Sequence, residues 1–139
     1  MLDKLALLLK RDAGADAVWV FGSAARDNLR DDSDIDLALR FSSDSTRRSW
    51  RENCVTHLGK LGLLAGRDVH VIDIHEADLL LRMQVFRNGR VLLDLNPADT
   101  RRLLETTLRD YHDTELYRSM HLQALRRHFE LATGATNGR

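Results

Sequence analysis

At 139 residues the chain has the length of a single domain with a sizeable core. Acidic and basic side chains balance at 21 each, so there is no global electrostatic case for binding nucleic acid or an anionic membrane directly. The one cysteine, Cys54, excludes an internal disulfide and suits a reducing, cytoplasmic setting. No apolar run reaches membrane-spanning length, and the run Leu5 to Leu9 lacks the length and flanks of a signal peptide.

The chain then alternates helix and strand. Leu2, Leu5 and Leu9 recur at helical spacing, and Gly14 ends that helix. Ala17 to Phe21 reads as a strand and Asp34 to Phe41 as a second, with about Ala24 to Leu29 helical between them. Ser42 to Ser45 offers caps for a helix carrying Trp50, Cys54, Leu58 and Leu61 on one face and stopping before Gly66. Asp68 to Ile74 is a third strand, Ala77 to Arg87 a helix, Asn88-Gly89 a break, and Val91 to Asp94 a short edge strand. Asn96-Pro97 pairs an N-cap with a proline at the first helical position and opens a last helix running to about Leu131. Its apolar face shifts near His112 to Thr114, which leaves open one kinked helix or two.

The most informative stretch is Val18-Trp-Val-Phe-Gly-Ser, followed after ten residues by Asp34-Ile-Asp-Leu-Ala-Leu39. Alternate side chains of a strand share a face, so Asp34 and Asp36 point together while Ile35, Leu37 and Leu39 point into the core. Two neighbouring carboxylates repel unless a cation lies between them, and magnesium prefers such hard oxygen ligands, completed by water and substrate phosphate. Gly22 lets a phosphate approach the backbone, Ser23 offers a hydroxyl, and free N–H groups of the helix expected after them would face the same phosphate. Arg26 reads as a helix-surface arginine in an ion pair. The remaining histidines, His57, His75, His112, His121 and His128, lack a metal-binding spacing.

The Gly-Ser, ten-residue gap, Asp-x-Asp pattern resembles the nucleotidyltransferase superfold of DNA polymerase β in its minimal form. Gly66-Arg-Asp-Val-His-Val-Ile-Asp-Ile74 and Val85-Phe-Arg-Asn-Gly-Arg-Val-Leu-Leu93 narrow the likeness to MntA-type antitoxins, partners of HepT toxins. The resemblance implies an α/β (α+β) fold: a small mixed sheet with helices packed on one face. It also implies a core over residues 1–95, a helical segment over 96–132 and a disordered tail over 133–139.

The implied activity is transfer of AMP from ATP to a tyrosine of a HepT-type ribonuclease toxin. Gly22, Ser23 and Arg26 would bind the nucleotide, and Asp34 and Asp36 would hold Mg2+. The histidine-x-tyrosine motif of the toxin is absent, so the chain resembles the modifier. The family's third carboxylate falls at the register position of His70. Asp68 shares that strand face and is the substitute metal ligand; His70 is the alternative as a catalytic base. Asp73 points the other way. Two other readings stay open: an antitoxin that neutralises by binding alone, and a small-molecule nucleotidyltransferase. Tyr111 and Tyr117 read as packing residues. Arg118, Arg126 and Arg127 form a solvated face or dock an acidic partner helix.

Overall fold

The computed structural model describes residues 1–26 and 33–137, with side chains through Leu131. Its elements are α1 (Leu2–Ala13), β1 (Ala15–Phe21), a 3₁₀ turn (Gly22–Arg26), β2 (Ile35–Phe41), α2 (Asp44–Glu52) and α3 (Cys54–Ala65). Then come β3 (Val69–Asp73), α4 (Leu79–Asn88), β4 (Arg90–Asp94) and α5 (Pro97–Asn137). The four strands form one sheet in the order β3-β2-β1-β4. β1 runs antiparallel to both β2 and β4, while β3 runs parallel to β2, so the sheet is mixed as the sequence implies.

Strand alternation builds two cores rather than one. Val18, Val20, Ile35, Leu37 and Leu39 face α1, α2 and α3, meeting Leu5, Leu9, Trp50 and Leu61. Ala17, Trp19, Phe21 and Ala38 face the other way, toward Ile74, Val85 of α4 and Leu103 of α5. The expectation of helices on one face is therefore corrected: α4 and the root of α5 cover the second face. A sheet apolar on both sides needs both covered. On that second face Trp19 meets Phe86 edge-on, ring centroids 5.7 Å apart.

Local chemistry sets the boundaries. α1 buries Leu5, Ala6, Leu9 and Ala13 and ends at Gly14 in the left-handed conformation, whose N–H donates to Leu9 O. The single helix expected after Ser42 to Ser45 is two. α2 starts on Ser43, whose hydroxyl accepts from Thr46 N–H, and stops at Asn53. There the Asn53 backbone leaves helical geometry (φ −113, ψ 15), while both its N–H and its side-chain amide donate to Ser49 O, the latter at 2.9 Å. Trp50 and Leu61 are nonetheless buried on the anticipated face, with Cys54 and Leu58 half-buried against the core. His57 stacks on Trp50 at 5.3 Å.

α4 is capped by Asp78, whose carboxylate accepts from Leu81 N–H. α5 begins at Pro97 after Asn96 and continues as one helix to Asn137, past the expected end near Leu131. Extending an established helix adds a hydrogen bond per residue, and no proline interrupts it. Of the expected tail, residues 138 and 139 lie outside the described residues, as do residues 27–29 of the helix expected from Ala24 to Leu29.

One buried cation ties α5 to the sheet. Arg40 is 2% exposed. Its guanidinium lies 2.7 Å from Asp16, 3.6 Å from Asp94 and 3.8 Å from Asp99, and its Nε donates to Thr100 Oγ1 at 3.2 Å. β1, β4 and the first turn of α5 thus converge on one side chain at the end of β2. Among the described residues, no helix is long and apolar enough to cross a membrane.

Candidate active site

The opposite end of β2 carries the acidic pair. β1 ends at Phe21, which stands opposite Asp36 in the antiparallel ladder. The next residue, Gly22, has φ +69, and a Cβ built on it would lie 2.6 Å from Asp36 Oδ2. Only glycine gives both that backbone conformation and that clearance. The carboxylate therefore sits directly against the turn backbone. Ser23 follows with its side chain exposed, and Ala24 anchors the turn in the core.

β3 supplies the third group. His70 stands opposite Asp36 in the parallel ladder, and its Nε2 lies 3.0 Å from Asp34 Oδ2. Asp34 and His70 are both more than half exposed, whereas Asp36 is half-buried. Burial raises the Asp36 pKa first; the nearby His70 charge opposes that shift and the Asp34 carboxylate reinforces it. A cation bound beside Asp36 relieves the burial and like-charge penalties together.

The other sequence candidates divide clearly. Asp68 is exposed and precedes β3; its carbonyl accepts from Ile35 N–H, which locks the start of β2 to β3. The side-chain contact to the acidic pair comes from His70 rather than Asp68. Asp73 points to the other face, where its carboxylate lies 2.7 Å from Arg47 Nε of α2. Arg26 ends the 3₁₀ turn with its side chain exposed. Ala24 to Arg26, the described part of the helix expected from Ala24 to Leu29, belong to this 3₁₀ turn, which begins at Gly22. Arg40, which composition and periodicity gave no reason to single out, is the main buried charge missed. Its only signal was a cation inside the otherwise apolar run Leu37 to Phe41.

The donor set fits a divalent cation. Asp34 and Asp36 offer hard oxygens, and the missing Cβ of Gly22 lets Asp36 Oδ2 sit against the turn backbone. Among the described residues no three His, Cys, Asp or Glu side chains are gathered so as to hold a metal ion by themselves, so substrate oxygens and water would complete the shell.

The family described as polymerase β, nucleotidyltransferase matches residues 3–98. The chain belongs to that family. The match spans every strand of the sheet and both halves of the acidic motif. No curated protein matches.

Solved structures share the fold. A toxin–antitoxin structure with AMP-PNP is 21% identical, covering 90% of this chain and 98% of its own, with a TM-score of 0.69. An MntA–HepT toxin–antitoxin structure is 22% identical, covering 89% and 97%, with a TM-score of 0.63. A third, from Shewanella oneidensis, holds a tri-AMPylated HEPN toxin in complex with MNT antitoxin. It is 20% identical, covering 88% and 94%, with a TM-score of 0.62. The similarity extends well beyond the family match at residue 98, into α5.

Proposed function

We propose that this nucleotidyltransferase is the antitoxin of a toxin–antitoxin pair, acts in the cytoplasm, and transfers AMP from ATP to a tyrosine of a HepT-type toxin. The observation that carries the reading is the fold match over about nine-tenths of both chains to antitoxins solved with such toxins. The exposed apolar residues of α5, among them Leu116, Tyr117, Met120, Leu125 and Phe129, offer surface for a protein partner.

In the proposed reaction the phenol oxygen of the acceptor attacks the α-phosphorus of ATP. The bond from that phosphorus to the bridging oxygen breaks, pyrophosphate leaves with the electron pair, and the phenol proton passes to solvent water. Gly22 admits the triphosphate against the turn, Ser23 donates its hydroxyl to a phosphate oxygen, and Arg26 adds positive charge nearby. Asp34 and Asp36 would hold Mg2+, which neutralises developing charge on the phosphates. Positioning is the protein's main contribution. Asp68 is retained as an outer carboxylate of the same strand end.

Intact-mass measurement of a co-purified toxin, after incubation with this protein, ATP and magnesium, tests the reading. Gains in whole AMP units, abolished by Asp36→Ala in a variant that still folds, are expected. A stable, silenced complex with no mass gain would refute the transfer and leave neutralisation by binding.

A further inference from the structure

His70 is placed by strand register. In the parallel β2–β3 ladder it pairs with Asp36, and its ring leans along the sheet to Asp34, Nε2 to Oδ2 3.0 Å. Two ligands bound side by side to one octahedral ion at about 2.1 Å each are themselves about 3.0 Å apart. The separation of a hydrogen-bonded pair is thus also that of two adjacent donors on one cation. Asp36 lies on the same strand face, its Oδ2 against the Gly22 backbone.

That donor set differs in kind from an all-oxygen site. Magnesium demands hard oxygen ligands and gives up water reluctantly, so an imidazole gains it little. Divalent transition-metal ions accept nitrogen and carboxylate oxygen together, and a neutral imidazole at the site favours them. Resting on the nucleotide-transfer reading above, we propose that His70 is a nitrogen ligand. It tunes the Asp34–Asp36 cation site away from magnesium and toward a nitrogen-accepting divalent transition-metal ion. Nε2 is the coordinating atom, which leaves the ring proton on Nδ1. A nitrogen committed to the ion does not serve as the base for the phenol, which decides between the two roles open to this histidine.

The test uses the full chain with Mn2+ as probe, with and without a non-hydrolysable ATP analogue. Pulsed electron paramagnetic resonance reads nitrogen coupling to the bound ion directly, and competition with Mg2+ reads preference. The wild-type protein should show ¹⁴N coupling. Both His70→Asp and His70→Gln should lose it, and His70→Asp should shift the Mn2+/Mg2+ preference toward magnesium by about tenfold or more. His70 is 60% exposed in its side chain, so these variants should fold, which circular dichroism verifies.

Bound Mn2+ without nitrogen coupling, or an unchanged preference in His70→Asp, would overturn the ligand role while leaving the nucleotide-transfer reading in place. If neither ion binds measurably to the wild-type protein even with the analogue, and Asp34→Ala behaves identically, both readings fall.

Discussion

Gly22→Ala is the sharpest test of how the turn and the acidic pair work together. Two effects are added at this position and can be separated. Holding alanine at φ +69 costs about 1–2 kcal/mol, as for any left-handed L-residue. The new methyl group would also lie 2.6 Å from Asp36 Oδ2, closer than side-chain carbons come to other atoms, so the carboxylate or the turn must shift. Displacing a positioning group by about 1 Å can cost on the order of a hundredfold in rate.

Gly66 supplies the matched control. Its φ is +67, but a Cβ there meets nothing within 4 Å. Gly66→Ala should therefore lose about the same 1–2 kcal/mol in urea denaturation and keep its activity, since it carries the backbone strain alone. Gly22→Ala should lose that stability and about a hundredfold in AMP transfer, followed by release of pyrophosphate. Equal transfer rates in the two variants would refute the claim that the turn backbone positions Asp36.

Three further outcomes are expected. Arg40→Met strands the carboxylates of Asp16, Asp94 and Asp99 around a lost cation, and should destabilise the protein by about 3–5 kcal/mol in urea denaturation. A loss below about 1 kcal/mol would show that water replaces the guanidinium freely. Burial and then the Arg47 cation, aided by Arg82 and Arg40, lower the His75 pKa against the pull of Asp73. The folded protein then binds fewer protons than the unfolded chain, so stability is full above about pH 6.5 and declines as pH falls through that value. His75→Gln should flatten this part of the profile, and an unchanged slope would count against the assignment. Finally, truncation after Arg109 keeps Leu103 and the buried Thr107, so the thermal midpoint should move by less than about 4 °C while capture of the toxin is lost.

The parts of this molecule written in local spacing could be read from the chain. The strand pattern around Asp34 to Phe41, the Gly14 and Gly66 stops and the Asn96-Pro97 start depend on neighbours within a few residues. The break at Asn53 was missed because Trp50, Cys54, Leu58 and Leu61 keep a helical period across it. The departure of the Asn53 backbone from helical geometry leaves no mark on that period. The second covered face was missed for a different reason: Ala17, Trp19 and Phe21 alternate with Val18 and Val20, giving a run apolar on both sides, and periodicity cannot say what covers each side. Strand parity separated His70 and Asp68 from Asp73, and the structure turns Asp73 toward Arg47. That His70 stands opposite Asp36 depends on the β2–β3 register, a contact between residues 34 positions apart that local spacing does not encode.

The length of α5 changes the kinetics expected of the reaction. At 41 residues it extends about 60 Å, about twice the diameter of a small domain, while its root is clamped at Arg40. Under the proposed function, a toxin gripped along the far half would be a tethered reactant, present at an effective concentration in the millimolar range however dilute the two proteins are. Modification then proceeds at a rate independent of toxin concentration once the complex has formed.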